Sequence, residues 1–455
     1  MTNRILLVEP EYKNKYPPIG LMKIATYHKN KGDYVEFVKG KAPYTLISTM
    51  NRVYITTLFT FYYDITVDTI NHYLQFKDKK NIYVGGILST IMNEELKKDT
   101  GIDNIISGQI TNSNIIGYDD KVNIDALSLD YDILDDVQYK YPAGDNFFAY
   151  STRGCPRDCT FCAVSKLEPS FINTNNLIEQ IENIRTIYGD KRNILLLDNN
   201  ILYSNHLEQI SSDLQILGYI KNNSTFIPQN KFKLISDKIA RRSKSGNSTY
   251  IVKNELLNFL MFFSKRIKSP ILFEELNDFI ELLKKTNNPY ETIKENYEGI
   301  FNIVEKYRNK KSLQRYVDFN QGLDARLLSE YKMKLIADLP INPFRLAYDN
   351  FRCTATYEKA FNIAYDNDIR YFSNYMLYNF KDTTEDLWKR LKKNIDLFKN
   401  KKDINTFSFP MKYAPIDMKD RSFIGKNWNK KYLSAVNVIL NVTRGSCYKR
   451  RKFLL

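Results

Sequence analysis

The sequence predicts an α/β protein: a parallel, doubly wound sheet first, then a barrel of repeated strand-helix units carrying a helical insertion. Three observations predict it. Short apolar runs alternate with amphipathic stretches from the first residues onward. The segments between the runs are long enough to be helical crossovers, which parallel strands require. The alternation lapses over one basic, Tyr- and Asn-rich stretch and then resumes.

In order, Arg4–Val8 (RILLV) reads as a strand, and Pro17-Pro18 leads into a helix over Ile19–Lys31 with Leu21, Ile24, Ala25 and His28 on one face. Tyr34–Val38 and Arg52–Thr57 read as strands, followed by a helix around Ile65–Leu74. Asn81–Val84 runs as a strand into Gly85-Gly86, then come a helix near Thr90–Lys98 and a strand at Asn104–Ser107. The acidic stretch Tyr118–Asp136 weakens the pattern and reads as the linker out of a first domain, residues 1–140. A strand at Phe147–Ser151 opens the second domain, 141–415. A helix follows with Leu177, Ile181, Ile184 and Tyr188 on one face, started by Asn173 or Thr174 and stopped at Gly189. Ile194–Leu197 is a buried strand and His206–Leu217 a helix. Residues of about 220–315 form the insertion, helical except for a strand-like Ser248–Val252. Strands resume at Tyr316–Phe319, Phe344–Tyr348, Ile369–Met376 and Thr406–Pro410, and 416–455 is a basic C-terminal extension.

At 455 residues the chain can hold two or three domains with apolar cores. No uninterrupted apolar stretch approaches the roughly 20 residues of a membrane span. The opening MTNRILLVEPEY reads as a first strand and lacks the features of a secretory leader, so a cytoplasmic protein with no membrane partner is expected. The net charge of +15 fits either an anionic partner or a lysine-rich solvated face. The basic segments at about 230–315 and 416–455 interleave Lys and Arg with Tyr and Phe, which fits the same two readings. Nothing in the sequence sets an oligomeric state.

There are five cysteines, and three of them, Cys155, Cys159 and Cys162, crowd one short segment. That makes a poor disulfide framework but a good metal or cluster ligand set. Residues 151–162 read STRGCPRDCTFC, a CxxxCxxC spacing directly after a strand. Three thiolates can hold three irons of a [4Fe–4S] cluster and leave the fourth open to a small molecule. A structural zinc site would want a fourth Cys or His nearby. The nearest histidine is His206, while Cys353 and Cys447 are far along the chain.

This motif, with the aromatic Phe161 before its last cysteine, resembles the radical S-adenosylmethionine superfamily. The resemblance implies a [4Fe–4S] cluster on Cys155, Cys159 and Cys162. It also implies S-adenosylmethionine bound at the open iron, and a 5′-deoxyadenosyl radical formed with an electron from a donor protein. Phe161, Asp198 and Asn199 are expected to lie against the cofactor, the last two because Leu197–Asn200 ends the strand whose family counterpart meets the methionine amino group. Val317–Arg326, Leu346–Asn350 and Met376–Phe380 resemble further strand ends of a partial (β/α) TIM-type barrel.

Pro17–Leu21 and Gly85-Gly86 are similar to the Rossmann-like, cobalamin-binding-like domain that precedes the barrel in one branch. No Asp-x-His-x-x-Gly occurs, so that motif's histidine ligand to cobalt is excluded, and bound cobalamin is left open. The resemblance covers roughly residues 4–415 without the insertion. No cysteine lies in residues 1–150, which argues against a methylthiotransferase with a second cluster. Cys353 reads as a small buried hydrophobe or a substrate-adjacent thiol, and Cys447 as incidental or an added ligand. Methylation, rearrangement and oxidation all stay open, on a small-molecule, peptide or nucleic-acid substrate. So do an RNA- or nucleotide-modifying enzyme and a catalytically inactive cluster-bearing protein.

Overall fold

The computed structural model describes residues 2–443 except 175, 224, 225, 400 and 402; Cys447 lies outside the described residues. Its first sheet grows from β1 (Arg4–Glu9), whose Ile5, Leu6, Leu7 and Val8 are all fully buried. Around it lie β2 (Tyr34–Lys39), β3 (Arg52–Thr57), β4 (Ile82–Gly86) and the short β5 (Ile105–Ile106). The order is β2-β1-β3-β4-β5 and every pairing is parallel. The crossovers are α1 (Ile19–Asn30), α2 (Tyr44–Ile47), α3 (Tyr63–Leu74), α4 (Ile87–Ile91) and α5 (Asn93–Thr100). Helix α1 buries the expected face, Leu21, Ile24, Ala25 and His28. The strand expected to end at Val84 runs on through the glycines, because Gly86 pairs with Thr57. Gly86 has φ +121°, and a Cβ there would stand 2.2 Å from the Thr57 carbonyl oxygen, so no side chain is admitted.

The second half begins with β6 (Phe147–Ala149), β7 (Thr152–Arg153), α6 (Val164–Leu167) and β8 (Ile172–Asn173), then α7 (Leu177–Tyr188), β9 (Asn193–Leu196) and α8 (Leu207–Ile216). Asn173 does not start α7; it sits in β8 and accepts a hydrogen bond from Ser204 at 2.5 Å. Gly189 ends α7 at φ +81°, with Leu234 and Gln229 packed where its Cβ would be. The insertion folds as α9 (Lys231–Lys244), α10 (Tyr250–Ser264), α11 (Pro270–Lys285) and α12 (Pro289–Tyr307) around a core including Phe232, Leu256, Leu276 and Val304. The strand expected at Ser248–Val252 is the start of α10 instead. Val252, Leu256, Leu260 and Phe263 recur at helical spacing and are buried together.

After the insertion come β10 (Tyr316–Phe319), α13 (Glu330–Ile336), β11 (Phe344–Ala347), α14 (Thr354–Asp366), β12 (Tyr371–Tyr378), α15 (Thr384–Lys399), β13 (Asn405–Lys412) and α16 (Lys430–Thr443). Two parallel three-stranded sheets result, β10-β9-β6 and β11-β12-β13. Single parallel bridges, Val317 to Ile341 and Leu323 to Leu346, connect the chain segments around β10 and β11.

The chain divides into two compact units. One comprises 1–145, 180–192 and 226–313; the other comprises 146–179, 193–225 and 314–455. The insertion thus belongs with the first sheet, although in sequence it interrupts the second half. The expected linker explains this. Residues 118–136 do not run free but dock within the first unit, their acids meeting bases on both sides. Lys29 pairs with Asp130 at 2.6 Å, and Lys31 and Tyr27 both donate to Asp120. From α9, Arg241 forks onto Asp132 at 2.8 and 2.9 Å, Lys238 pairs with Asp135, and Arg242 pairs with Asp136. Three bases of α9, Lys238, Arg241 and Arg242, are thus spent on acids of the same unit. No helix among the described residues is long and apolar enough to cross a membrane.

Candidate active site

The cysteine loop is the connection of a two-stranded hairpin. Strands β7 and β8 pair antiparallel, Thr152 opposite Asn173 and Arg153 opposite Ile172, so residues 154–171 are drawn together at their base. Thr174 strengthens the closure, its N–H donating to Ser151 O at 2.9 Å and its hydroxyl to Tyr150 O at 2.8 Å. Gly154 makes the turn possible: its φ is +75° and a Cβ would fall 2.2 Å from Ser170 O. Glu168 holds the loop from within, accepting from the Gly154 N–H at 2.6 Å and pairing with Arg153 at 3.0 Å.

Cys155, Cys159 and Cys162 are half-buried on this loop. The Val164 N–H points at Cys162 Sγ at 3.5 Å, and Asn200 Nδ2 at Cys155 Sγ at 3.7 Å. Burial raises the Cys159 and Cys162 thiols; Arg326 and Arg157 oppose this at Cys159, and the Val164 N–H opposes it at Cys162. Among the described residues, no three His, Cys, Asp or Glu side chains converge tightly enough to hold a single metal ion. A cluster makes a different demand, one sulfur per iron, so the thiols need not share a point. The donor set fits it: three thiols of one loop, two of them met by N–H groups, beside two guanidinium groups.

Asp198 follows β9 and is buried. Its Oδ1 alone accepts from the backbone N–H and hydroxyl of both Ser151 and Thr152, which fixes the strand's exit to the cysteine loop. Its Oδ2 is buried with no partner. Burial pushes its carboxyl up, and the four donors pull it back. Asn199 donates to Glu168 at 2.8 Å and so braces the same loop. Asn200 is 4% exposed, and its Oδ1 is a second buried acceptor with no partner.

On the other side of the loop, Arg157 bonds Asp324 at 2.6 Å, and Arg326 grips the same carboxylate at 2.7 and 3.0 Å. Burial raises the Asp324 carboxyl, but the arginines overrule it and hold it below its ordinary value. Asp349, after β11, is raised by burial and acts on the charge of both Cys159 and Cys162. Arg390 of α15 is fully buried, donating to the carbonyls of Tyr348 and Asp349 and to Asp382, and fixes that strand end. Phe161 packs edge-on to Phe380, ring centroids 6.0 Å apart, and Phe380 in turn meets Tyr413 at 4.4 Å. Cys353 is half-buried at the start of α14.

The sequence-predicted set thus gathers around one loop, Cys155, Cys159, Cys162, Asp198 and Asn199 directly, with Phe161 on the side of Phe380. Glu168, Arg157 and Arg390 were not singled out in the sequence, and Asn200 only as the last residue of the Leu197–Asn200 strand end. Arg157 carried a signal, lying inside the motif; Glu168 and Arg390 carried none, since their partners are set by tertiary contacts.

No protein-family model and no curated protein matches the sequence. Solved structures do match. One is the radical S-adenosylmethionine methyltransferase TsrM from Kitasatospora setae with cobalamin and a [4Fe–4S] cluster bound, at TM-score 0.50 and 12% identity, over 92% of this chain and 78% of that one. Another is TsrM with its tryptophan substrate and the analogue aza-SAM bound, at TM-score 0.51 and 12% identity, over 92% and 76%. At such identity the likeness is one of fold, and at that level it bears out the resemblance read from the cysteine spacing. Over nearly its whole length, this chain has the fold of a radical S-adenosylmethionine methyltransferase.

Proposed function

We propose that the chain is a radical S-adenosylmethionine enzyme whose [4Fe–4S] cluster is held by Cys155, Cys159 and Cys162. One observation carries this: three thiols on a hairpin-closed loop, at CxxxCxxC spacing, in a chain with that fold. We read residues 1–140 as a Rossmann-like domain. Residues 141–415 are read as a partial (β/α) barrel of β6, β9, β10, β11, β12 and β13, and 416–455 as an extension.

When bound, the cluster supplies one electron that cleaves the sulfonium of S-adenosylmethionine to methionine and a 5′-deoxyadenosyl radical. The chain's own residues do the rest. The N–H groups of Val164 and Asn200 stabilise charge on Cys162 and Cys155. The unpartnered Oδ2 of Asp198 and Oδ1 of Asn200 are acceptors poised for an ammonium group, the methionine amino end of the cofactor. Asn199 gives its N–H to Glu168, so its side-chain oxygen is the atom it offers. Phe161, packed on Phe380, lends an apolar face to the same loop. The substrate is a small molecule, as the tryptophan bound by TsrM suggests.

Cobalamin is a second group the fold implies. In the first unit the strand order reverses between β1 and β3, where parallel α/β sheets bind ligands. Tyr12 is buried there, its hydroxyl on Thr66 and its ring 4.6 Å from Tyr62. His28 is enclosed by Asp33 and Tyr54, and His72 is bonded to Ala42 O, so neither is offered to cobalt. The residues do not fit a histidine-ligated cobalamin.

The test is anaerobic. The full chain is reconstituted with iron and sulfide, then given S-adenosylmethionine and a strong reductant, and 5′-deoxyadenosine is measured. It should form, and single Cys→Ala changes at 155, 159 or 162 should abolish both it and the cluster's visible absorbance. An intact cluster spectrum without 5′-deoxyadenosine defeats the enzyme reading.

A further inference from the structure

Strand β13 distributes its side chains against the usual rule. The residues it buries are polar: Thr406 is 0% and Ser408 3% exposed, and Ser408 takes a hydrogen bond from Asn394 of α15 at 3.1 Å. That buried face continues through Asn394, Tyr357 and Asn374, each bonded to the next. The alternate residues, Phe407, Phe409 and Met411, lie on the opposite face. Phe409 is 53% exposed and Met411 36%. An edge strand that hides its hydroxyls and shows its ring and thioether is built to be covered by something apolar.

The exposed rings belong to the candidate site by a chain of contacts. Register places Tyr375 of β12 beside Phe409 and Leu377 beside Met411, on the same face. Tyr375 meets Phe409 edge-on, centroids 6.0 Å apart and planes at 89°. Its hydroxyl donates to Asn320 O at 2.7 Å, and a Cβ on Gly322 would press on its ring at 3.0 Å, so the ring is held in one place. The same segment carries Asp324, whose carboxylate is bound by Arg157 of the cysteine loop. One step deeper, Ser373 is 1% exposed and its hydroxyl has no partner; it shares the face of Tyr375.

Two kinds of occupant suit an apolar edge, and the strand itself separates them. A second copy of the chain, or a peptide, would add a strand to β13 through its backbone. Pro410 stands in the middle of that edge without an N–H, which natural sheets use to prevent such pairing. A small ring needs no backbone partner: it can complete the edge-to-face packing begun by Tyr375 and Phe409, with the Met411 sulfur at its rim. We infer that the substrate is a planar aromatic small molecule, bound on Tyr375, Phe409 and Met411. This rests on the enzyme reading above and names its substrate class.

The test uses the reconstituted full chain and calorimetric titration with indole, with cyclohexanol as the non-aromatic control. Indole should bind at least tenfold more tightly than cyclohexanol. The F409A/M411A double variant should lose indole affinity by tenfold or more at unchanged iron content and melting temperature. Phe409→Leu, which keeps bulk without a ring, should give an intermediate loss and guards against misfolding of the double variant. Equal affinity for the two probes, or an unchanged double variant, overturns the inference. So does a double variant that turns an oligomer into a monomer, since the face would then join copies of the chain. Binding is read without turnover, so a failure to make 5′-deoxyadenosine alongside normal indole binding would sink the enzyme reading by itself.

Discussion

Asp198 concentrates its hydrogen bonds on one oxygen and leaves the other buried and unmatched, and the two oxygens can be separated by mutation. Asp198→Asn keeps an acceptor for Ser151 and Thr152 while removing a buried charge. It should hold the wild-type melting temperature and weaken S-adenosylmethionine binding, read by equilibrium titration. Asp198→Ala strands four donors and should cost on the order of 3 kcal/mol in denaturant unfolding. In the first unit, His28 makes a pH-dependent contribution. Burial brings its pKa down to about 4 against the ordinary 6.5, despite the bond to Asp33. A depressed folded-state value means stability that is present above pH 6.5 and is lost as the pH falls toward 4, on the order of 3 kcal/mol. Burial raises Asp136 to about 6, which works in the opposite direction over part of that window. The difference between wild type and His28→Asn, unfolded by urea at pH 7 and pH 4.5, isolates the histidine: the variant should lose less. The cysteine spacing and Asp198 were legible in the sequence because each sits at a fixed offset from a strand end. The unmatched oxygen was not legible, since it depends on which donors the fold brings to the other one.

At the scale of elements, α9 and the acidic stretch 130–136 act as one joint. Arg242 is 4% exposed and donates to Asp136, to Asp132 O at 3.0 Å and to Ser248 O at 2.7 Å. Arg242→Ala takes the partner from a buried Asp136 and leaves the Asp132 and Ser248 carbonyls without its donors, and should destabilise by about 3 kcal/mol. Arg242→Met with Asp136→Leu should recover much of that loss, because it removes both charges together. Urea unfolding measures both, and limited proteolysis should show the single variant cut first within 226–313. Helical period identified α1, α3 and α7 correctly, because each buries one apolar face, in α7 that of Leu177, Ile181 and Ile184. It failed at Ser248–Val252, where a few alternating residues mimic a strand and the deciding apolar positions, Leu256 and Leu260, lie beyond them. The acids of 118–136 looked like a solvated linker since a carboxylate's partner is invisible until the fold supplies it.

For the whole molecule, the net charge of +15 is an excess that internal ion pairs leave untouched, since each pair sums to zero. Lys238, Arg241 and Arg242 spend their charge on Asp135, Asp132 and Asp136, so their loss should lower stability and leave RNA retention at moderate salt unchanged in a filter-binding assay. That the insertion joins the first unit was not legible either, for it rests on pairs roughly a hundred residues apart. Where the insertion leaves and rejoins the chain, the backbones of Phe226 and Leu313 exchange hydrogen bonds at 3.3 and 2.8 Å. Departure and return are thus only one strand spacing apart, while the α9 pairs to Asp132, Asp135 and Asp136 hold the four helices to the first unit. Excising 227–312 and splicing the ends with a two-residue turn, with Asp132, Asp135 and Asp136 changed to Asn, should leave a protein that still takes up iron. The architecture around the cysteines would then be open to exchange of the entire helical block, as a graft would be, with no change to the strands that carry the chemistry.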